Sequence, residues 1–521
     1  MAAVCAADSA NLALLDHEYL AKYGVYTRQY DRDASYTNEE ELEYAGLLCR
    51  ALRARGVAPG DRIVVMLPNS LEMTAMLQAI WTVGAVAVPV LPHWTAAEAS
   101  HVLAGSGAVM AVTVPSLAPR LQEAARVAPA LRRLLSFGEC ATPDCEDVLS
   151  ELAPATEAAP VIRSALAPAL LLYTSGATGL PKGSLLTHGN IRAALESFHR
   201  QNPDLAREPM VQVLPFSHSF GLLMLLFANR SGLASVLVPQ FDPAAVFEAV
   251  ERRRARYLPL VPTMLVHLLN DPGRRRYDLS SLKRISSGGA PLPDRLRMDC
   301  EEAFGCRVDQ GYGLSETFAV AATYTATAEY RAGSVGAPAP GVEIRILGDR
   351  GQPLPPMQIG EIAIAGAHVA RGYWSDEAAT EQAFRNEWLL TGDLGYRDQD
   401  GYLYITDRKK EVIIKGGENI SPREIEDLLC AHPAVVEAAA IGIPDAVYGE
   451  EIWAFVQLLP GADVEEEELR RHLSGFVSRF KVPAHIIVQP LLPKTAAGKV
   501  SKRHIRERLA ADLMTGVASF S

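Results

Sequence analysis

The stretch LLLYTSGATGLPKGSLLTHGNI, from Leu170 to Ile191, decides the fold. Its apolar beginning is typical of a buried strand, its middle is rich in glycine and hydroxyl side chains, and a helical pattern follows Gly183. Glycines let backbone N–H groups turn toward an anion, hydroxyls add donors, and Lys182 adds a positive charge. We therefore predict a loop that binds a phosphate chain. Its candidate ligands are Thr174, Ser175, Gly176, Thr178, Gly179 and Lys182.

A flexible surface loop is the alternative interpretation of a glycine-rich segment, and the hydroxyl groups together with Lys182 argue against it. Two familiar nucleotide-binding motifs do not fit. A Walker A loop ends in Gly-Lys-Ser or Gly-Lys-Thr, whereas here Pro181 precedes Lys182 and Gly183 follows it. The segment GYGLSE begins like a dinucleotide fingerprint but has Glu316 at the third glycine position. Kinase-like and dehydrogenase-like functions are therefore disfavoured.

The sequence on both sides of this loop alternates between helical and strand patterns from about Asn38 to Val261. EEELEYAGLLCRALRARGV has apolar residues at helical spacing, and DRIVVMLP is a short β-branched strand. The alternation is repeated in AIWTVGAVAVPVL, in AVMAVTV, and in ASVLVP followed by AAVFEAVERRRA. Such alternation predicts mostly parallel sheets covered by helices.

The pattern changes after about Gly333. GVEIRILGDRGQPL and GEIAIAG alternate with a period of two, and GYRDQDGYLYITD contains a hairpin signal at Asp400 and Gly401, so this part is predicted to be antiparallel. Beyond Ile405, helical and strand patterns form a compact α+β unit. We place the boundary at Asp407, within the polar TDRKKE segment, which gives domains of residues 1–406 and 407–521.

Composition restricts the partners. The 521 residues carry a net charge of −11 with 49% hydrophobic residues, which is typical of a globular protein and disfavours general binding to nucleic acid or anionic membranes. The seven cysteines are scattered without a CxxC pair, so we expect reduced thiols and a cytoplasmic protein. The N-terminus does not resemble a signal peptide, and the apolar stretch from Thr74 to Pro92 is interrupted by polar and helix-breaking residues, so no stable membrane anchor is expected.

Seven motifs, in order along nearly the whole chain, resemble those of the adenylate-forming enzymes, which include acyl- and aryl-CoA synthetases, beetle luciferases and peptide-synthetase adenylation domains. The motifs are YTSGATGLPKGS (173–184), LPFSHSFG (214–221), SSGGAPL (286–292), QGYGLSET (310–317), LLTGDLG (389–395), DRKKEVIIKGGENISPREIE (407–426) and LPKTAAGKVSKR (492–503). Two departures are mild. Ala177 replaces a hydroxyl often present in the phosphate loop, and Ser315 stands where threonine is commonest.

The resemblance implies an α/β fold. A large N-terminal domain would contain two αβαβα-type sheets and a distorted β-barrel subdomain, and a small mobile α+β C-terminal domain would follow. The implied reaction joins a carboxylic acid to AMP from ATP with Mg²⁺, releases pyrophosphate, and transfers the acyl group to CoA. We expect an aromatic or medium-length aliphatic acid. The alternatives are loading of a separate carrier protein, a luciferase-like oxidation and a nucleotide-binding sensor; the resemblance also leaves a homodimer open.

The resemblance also assigns the residues that handle the nucleotide. Lys499 matches the catalytic lysine that bridges the acid and AMP, and Glu316 matches the magnesium-associated glutamate, with Thr178 as a second metal candidate. Asp393 and Arg408 match ribose contacts. Further candidates for AMP binding are Gly289, Ala290, Pro291, Gly311, Tyr312, Gly313 and Ser315, with Tyr312 as the adenine-stacking aromatic. In isolation, Lys499 would be interpreted as a solvated lysine and Tyr312 as a core residue.

The acid and the thiol have candidate sites of their own. His218 stands where amino-acid-activating relatives usually have aspartate, so an acid without an α-amino group is favoured, although His218 could instead be a hydrogen-bonded structural residue. The acyl-pocket candidates are His218, Phe220, Gly221, Gly288, Thr317 and Phe318. The CoA candidates are Lys415, Gly416, Gly417, Phe480 and Lys481, and solvated side chains are the alternative for both lysines. Asp407 matches the hinge about which the small domain swivels.

Overall fold

The structure is a computed structural model that describes residues 11–154, 159–174, 181–205, 208–459, 461–495 and 499–515. Within these ranges, helices alternate with strands from the N-terminus to about residue 310, antiparallel strands follow to Arg408, and a separate group of strands and helices completes the chain. None of the described helices is both long enough and apolar enough to cross a membrane.

Several of the α-helices begin at a side chain that accepts a hydrogen bond from one of the free N–H groups of the first turn. Thr37 and Thr95 each accept a backbone hydrogen bond three residues ahead, and the glutamate at that position bonds back. The helices are α1 Leu15–Tyr23, α2 Asn38–Ala54, α3 Leu71–Thr82, α4 Ala96–Ser106, α5 Ala118–Ala125, α6 His188–Gln201, α7 Ser219–Ser231, α8 Pro243–Arg253, α9 Pro262–Asn270, α10 Asp294–Phe304, α11 Glu377–Ala383, α12 Pro422–Cys430, α13 Glu466–Ser474 and α14 Lys502–Thr515.

The strands are short and fall into four larger sheets and one two-stranded ribbon. They are β1 Thr27–Asp31, β2 Ala34–Thr37, β3 Arg62–Val65, β4 Val86–Pro89, β5 Met110–Thr113, β6 Arg133–Ser136, β7 Cys145–Asp147, β8 Pro168–Thr174, β9 Lys182–Thr187, β10 Met210–Gln212, β11 Ser235–Leu237, β12 Tyr257–Leu260, β13 Arg284–Ser287, β14 Arg307–Gln310, β15 Ala322–Thr323, β16 Ala337–Pro338, β17 Glu343–Leu347, β18 Gly360–Ala365, β19 Phe384–Arg385, β20 Trp388–Arg397, β21 Leu403–Arg408, β22 Ile413–Lys415, β23 Glu418–Ile420, β24 Val435–Asp445, β25 Gly449–Leu458 and β26 His485–Val488.

Two seven-stranded sheets, each parallel except at one edge, form the larger part of the molecule. The first has the order β7-β6-β5-β3-β4-β8-β9, and only β9 runs antiparallel to its neighbour. The second has the order β14-β13-β12-β10-β11-β1-β2, and only β2 is antiparallel. Helices connect successive parallel strands, so the α/β class predicted from the alternating pattern is confirmed.

One local prediction is wrong. The helical pattern was expected to begin directly after Gly183, but β9 comes first and α6 begins only at His188. Residues 182–187 extend because β9 pairs with β8 on one side, and on the other its backbone exchanges hydrogen bonds with residues 371–374. Thr187 then caps α6 by accepting a hydrogen bond from the Asn190 N–H.

The remaining strands lie on either side of Asp407. Before it, β17 to β21 form an antiparallel sheet with the order β17-β18-β20-β19, and β21 also pairs with β20. These pairings do not close into a ring among the described residues. β15 pairs separately with β16. After it, β22 to β26 form a sheet with the order β23-β22-β25-β24, to which β26 adds in parallel. The buried apolar clusters divide in the same way. Three clusters are built only from residues between Leu12 and Leu403, and two are built only from residues between Ile413 and Leu509.

Candidate active site

The candidate residues converge where parallel strands end. Gly288, Gly289, Ala290 and Pro291 follow β13 directly, and the segment from Gly311 to Glu316 follows β14. β8 and β9, which flank the predicted phosphate loop, belong to the first sheet. Ligands of α/β proteins bind in crevices at the carboxyl ends of such strands. The fold therefore places the two glycine-containing segments, 288–291 and 311–313, side by side, because β13 and β14 are neighbours.

A carboxylate lies at the centre of the predicted ribose site. Asp393 is buried on β20, and its Oδ2 accepts a hydrogen bond of 2.6 Å from the Tyr312 hydroxyl. Its Oδ1 lies 2.9 Å from Nε of Arg408, which stands directly opposite on β21. The Asp393 carboxylate and burial both raise the pKa of Tyr312, so the phenol stays a donor. The structure thus brings the three predicted AMP-binding side chains together.

Lys499 reaches this group from the other side of Asp407. Its Cε lies 3.9 Å from the position that a Cβ would take on Gly289. The residue as a whole is exposed, but the protein groups around its side chain still affect its pKa. Burial and, next, the Arg408 guanidinium lower the pKa of Lys499 to about 8, against the opposing effect of Asp393 and Glu411. Arg408, Asp393 and Lys499 therefore influence one another.

His218 lies within electrostatic range of the same ammonium. It is the residue before α7, and its Nδ1 accepts a hydrogen bond of 3.3 Å from the Phe220 N–H. Burial and, next, the positive charge of Lys499 lower the pKa of His218 to about 4, so the imidazole is neutral near pH 7. His218 is therefore a hydrogen-bonded structural residue, as the sequence allowed. The charge of Lys499 also affects its pKa.

Other predicted acyl-pocket residues differ in their surroundings. A Cβ on Gly288 would lie 3.1 Å from the Phe220 ring, so the glycine makes room for that aromatic side chain. Gly221 has no space for a Cβ, which would be 2.1 Å from the Pro215 carbonyl oxygen. Thr317 is fully buried, and its hydroxyl bonds the backbone of Leu314. Phe318 is also fully buried in the core. Of the acyl-pocket candidates, His218 and Phe220 are half-buried, whereas Gly221, Gly288, Thr317 and Phe318 are buried.

Glu316 lies in a second polar group. Its Oε1 accepts a hydrogen bond of 2.7 Å from the Tyr373 hydroxyl, and its backbone carbonyl accepts one from the Ala370 N–H. The Nζ of Lys182 lies 5.4 Å from the centre of the Tyr373 ring and 3.9 Å from Oδ2 of Asp376. Tyr373 therefore connects the predicted metal residue with the predicted phosphate-binding lysine.

The predicted CoA residues form a cluster beyond Asp407. Gly416 has a positive φ of 57°, and a Cβ there would lie 3.1 Å from the Phe480 ring, whereas a Cβ on Gly417 would meet nothing within 4 Å. Lys415 is buried, pairs with Glu451 at 2.5 Å and lies 4.9 Å from the Phe480 ring centre. Lys481 pairs with Glu424 at 2.7 Å. Both lysines have acidic partners rather than being simply solvated.

Comparison with known proteins places this geometry in a family. Residues 17–374 match the AMP-binding enzyme family, and residues 424–499 match the AMP-binding enzyme C-terminal domain. The chain belongs to the AMP-binding enzymes. The predicted resemblance to adenylate-forming enzymes is thereby confirmed.

Individual relatives span nearly the whole of this AMP-binding enzyme. It is 36% identical over 466 residues to sulfoacetate–CoA ligase of Cupriavidus necator, covering 88% of this chain and 89% of the relative. It is 32% identical over 490 residues to long-chain-fatty-acid–CoA ligase of Bacillus subtilis, covering 88% of both. Among solved structures, amide bond synthetase McbA from Marinactinospora thermotolerans superimposes with a TM-score of 0.87 at 29% identity, covering 95% and 99% of the two chains.

The phosphate loop of this AMP-binding enzyme is described only at its two ends. Ser175, Gly176, Thr178 and Gly179 lie outside the described residues, and so does the side chain of Thr174. At the end of the loop, Lys182 begins β9. Gly183 follows, and a Cβ there would lie 2.9 Å from the Tyr173 ring, so the chain can return along β8 only with a glycine at this position.

A magnesium ion fits the residues that are described. They contain no cluster of three or more His, Cys, Asp and Glu side chains able to enclose a metal. Mg²⁺ usually takes only one or two carboxylates and fills its other positions with water and substrate phosphates. The half-buried Glu316 carboxylate, with Lys182 close to its hydrogen-bond partner Tyr373, suits such a shared site.

Two functional candidates were missed by sequence reasoning. Tyr373 and Asp376 lie in RGYWSDE, outside the seven motifs, and neither a single tyrosine nor a single aspartate is enough to predict a site. Their place becomes visible only through the backbone pairing of residues 371–374 with β9. A further clue in the sequence is Gly372, which has a φ of 145° and would bring a Cβ within 2.5 Å of Thr380.

Proposed function

We propose that this AMP-binding enzyme activates a carboxylic acid with ATP, releases pyrophosphate, and transfers the acyl group from acyl-AMP to CoA. The observation that carries the proposal is the position of the Lys499 ammonium. It influences His218 in the predicted acid pocket and is itself influenced by Asp393 and Arg408 in the predicted ribose site. One cation thus acts on residues of both predicted sites, those of the acid and of the nucleotide.

The first step needs that cation. A carboxylate oxygen attacks the α-phosphorus, and the bond to pyrophosphate breaks with its electron pair leaving on pyrophosphate. The two anions repel each other by about 1 kcal/mol at 4 Å in water and by roughly 4 kcal/mol at an effective dielectric of 20. The Lys499 ammonium offsets this repulsion and the charge that develops on the phosphate. A neutral His218 borders the acid without adding a second charge.

The nucleotide is held by groups that are arranged in advance. Asp393 can accept hydrogen bonds from ribose hydroxyls, and the Tyr312 hydroxyl and the Arg408 guanidinium fix its carboxylate. Lys182 and the β8–β9 turn would bind the β- and γ-phosphates. Glu316 would help to hold magnesium, and the chemistry supplied there would be further positive charge near the leaving pyrophosphate.

The second step uses the residues after Asp407. We propose that residues 1–406 and 407–521 are two domains and that Asp407 is the hinge between them. The buried clusters that divide between residues 403 and 413 support this boundary. A turn at Asp407 would withdraw Lys499 and bring Gly416, Gly417 and Phe480 toward the acyl-AMP. The CoA thiolate then attacks the acyl carbon, and the bond to AMP breaks.

The acid is proposed to be aromatic or a medium-length aliphatic acid. The relatives named above act on sulfoacetate and long-chain fatty acids, and another, 35% identical over 467 residues, is feruloyl-CoA synthase of Amycolatopsis. The absence of a carboxylate at position 218 supports an acid without an α-amino group. Phe220, which packs beside Gly288, suits an apolar or aromatic acyl group.

The thiol acceptor, the oligomeric state and the cellular location are also proposals. The alternative to CoA as acceptor is the phosphopantetheine arm of a separate carrier protein, whose thiolate would attack the acyl carbon in the same way. The alternative to a monomer is a homodimer. A cytoplasmic location is supported by the free thiols of the cysteines within the described residues.

The decisive experiment measures acid-dependent exchange of labelled pyrophosphate into ATP across a panel of aromatic and aliphatic acids. We expect exchange with at least one acid and a fall of about 100-fold or more in Lys499→Ala, because preorganised charge contributes at this scale. Purified acyl-AMP offered with CoA should still give thioester in Lys499→Ala. If none of the acids in the panel supports exchange, the proposed acid activation is refuted. If exchange occurs and a carrier protein is loaded but no acyl-CoA forms, the carrier protein is the acceptor.

A further inference from the structure

We propose that Tyr373 is a positioning residue that holds Glu316 ready for magnesium-bound ATP and couples it to Lys182. The inference rests on the proposed function, since it concerns the same nucleotide site. It assigns a role to a residue outside the seven motifs and explains how two segments far apart in sequence keep a common geometry.

The first observation is the bond to Glu316. The Tyr373 hydroxyl donates to Oε1 of Glu316 over 2.7 Å. A hydrogen bond to an ionised carboxylate is stronger than one between neutral groups. The bond uses one carboxylate oxygen and fixes the direction of the other, which is what a metal site with a single protein carboxylate needs.

The second observation is the contact with Lys182. The Lys182 ammonium lies 5.4 Å from the centre of the Tyr373 ring, within the range of a cation–π interaction. Oδ2 of Asp376 lies 3.9 Å from the same ammonium. Lys182 therefore has a place beside the ring before any phosphate binds, and one tyrosine adjoins both the predicted metal residue and the predicted phosphate-binding cation.

The third observation is that Tyr373 is itself held rigidly. Its backbone forms a bridge with Ser184 on β9, and its N–H donates to the Thr380 hydroxyl over 2.9 Å. Its ring meets the Phe384 ring edge to face, with centroids 5.7 Å apart. Because backbone and ring are both fixed, the hydroxyl is directed at Glu316 without being ordered by the substrate.

A purely structural role makes a different prediction. If Tyr373 only joined β9 to the following loop, removing the hydroxyl would change the stability of the protein but not its dependence on magnesium. If it positions Glu316, removing the hydroxyl would leave the unfolding midpoint nearly unchanged and would weaken binding of ATP only when magnesium is present. The two roles are therefore separable by binding measurements.

The test is Tyr373→Phe, which keeps the ring and removes the hydroxyl. We expect calorimetry without acid to show magnesium–ATP binding weakened about 10-fold, the effect of losing a hydrogen bond to a charged group, with ATP binding in excess chelator changed less than 2-fold. The magnesium concentration for half-maximal pyrophosphate exchange should rise by a similar factor, while KM for the acid stays constant. Unchanged magnesium dependence in a folded variant would overturn the proposal.

The chain offers a matched control in Tyr330. Its hydroxyl donates to Asp294, and the Arg297 guanidinium lies 3.8 Å from its ring centre, so it has the same chemical surroundings away from the site. Tyr330→Phe should leave both magnesium dependences unchanged. If Tyr373→Phe does not fold, Tyr373→His, whose shorter ring cannot reach Glu316, replaces it in the same measurements.

A double-mutant cycle identifies the partner. In a Glu316→Gln background, the further effect of Tyr373→Phe on magnesium–ATP binding should fall below 2-fold, because the charge that it positions is gone. Equal effects in both backgrounds would show that Tyr373 does not act through Glu316 and would refute the assignment. The calorimetric measurements need no acid, so they decide about Tyr373 even if no acid supports exchange and the proposed function fails.

Discussion

The ammonium of Lys499 is affected by residues from three parts of the chain. Desolvation and Arg408 disfavour its charged form, whereas Asp393 and Glu411 favour it. Because desolvation is the largest influence, the pKa falls to about 8. A lysine with this pKa is still mostly protonated near neutrality, so it can neutralise the two reacting anions there.

Adenylation should therefore lose rate at alkaline pH. The rate depends on the protonated Lys499, so it should fall as the pH rises through about 8, by about 10-fold for each further pH unit. The measurement is pyrophosphate exchange at subsaturating ATP and acid between pH 6.5 and 9.5, because that regime reports the groups of the free enzyme. Lys499→Arg should be slower overall but should lack this fall, because a guanidinium stays charged throughout that range. An identical alkaline fall in Lys499→Arg would assign it to another group.

At the scale of single residues, the sequence predicts side chains whose motif carries their chemistry. Lys182, Glu316, Asp393, Arg408 and Lys499 are all of this kind, and the structure brings the last three together. The role of the Tyr312 hydroxyl could not be assigned in this way. A tyrosine can stack through its ring or donate a hydrogen bond through its hydroxyl, and the sequence does not distinguish the two roles. The bond of the Tyr312 hydroxyl to Asp393 depends on the folding of β20 beside the loop after β14.

Among the secondary structure elements, α7 has the most constrained beginning. The His218 N–H donates to the Pro215 carbonyl, and the Leu222 N–H donates to the His218 carbonyl, so the chain turns sharply into the helix. A side chain at Gly221 would collide with the Pro215 carbonyl. The helix can therefore place His218 and Phe220 beside Gly288 only if position 221 is glycine.

Gly221→Ala should consequently destabilise the protein by about 2–3 kcal/mol, as expected when backbone must move to relieve a collision. The matched control is Gly46→Ala in α2, where a Cβ would meet nothing within 4 Å. That substitution should stabilise the protein by about 0.5–1 kcal/mol, because alanine is the better helix former. Urea unfolding of both variants gives the comparison, and equal stability changes would contradict the steric argument.

The elements themselves could largely be predicted, with an instructive exception. Apolar periodicity correctly indicated α2 and α12, because each has one dominant packing face. Short apolar runs correctly indicated β3 and β5, which are buried on both faces of their sheet. The pattern failed at β9, where residues 182–187 have an apolar run compatible with either a strand or a helix. The choice is made by long-range pairing with residues 371–374, which no local pattern contains.

At the scale of the whole molecule, few described side-chain contacts join the two proposed domains. Arg408 pairs with Asp393, Lys409 pairs with Glu361 at 2.9 Å, and the Arg423 guanidinium donates to the Ile405 carbonyl. The apolar clusters do not cross Asp407. Such an interface is mainly polar, as expected for domains that change their relative orientation.

A chain ending at residue 406 should therefore fold without the rest. We expect it to retain magnesium–ATP binding, because Lys182 and Glu316 are kept, and to lack pyrophosphate exchange, because Lys499 is lost. A chain ending at residue 411 is the matched control. It keeps Arg408 opposite Asp393 and should bind AMP about 10-fold more tightly than the shorter chain in calorimetry. Aggregation or unfolding of both fragments would contradict the proposed boundary.

The net charge of −11 means that the protein as a whole repels anionic ligands. ATP and CoA are anions, and a chain that repels anions overall must attract them locally. Lys182, Arg408 and Lys499 provide that attraction, and each has an acidic group within its surroundings. We therefore expect the protein to select its phosphate ligands by position rather than by general electrostatic attraction.

The register of β20 and β21 has a consequence for how the products leave. Arg408 stands opposite Asp393, one residue beyond the proposed hinge. A turn at the proposed hinge would change the relation between these two strands, so the same movement that withdraws Lys499 would also loosen the proposed clamp on the ribose. AMP would be gripped while its bond to the acyl group is made and relaxed while CoA breaks that bond. Departure of the spent nucleotide would then need no opening step of its own.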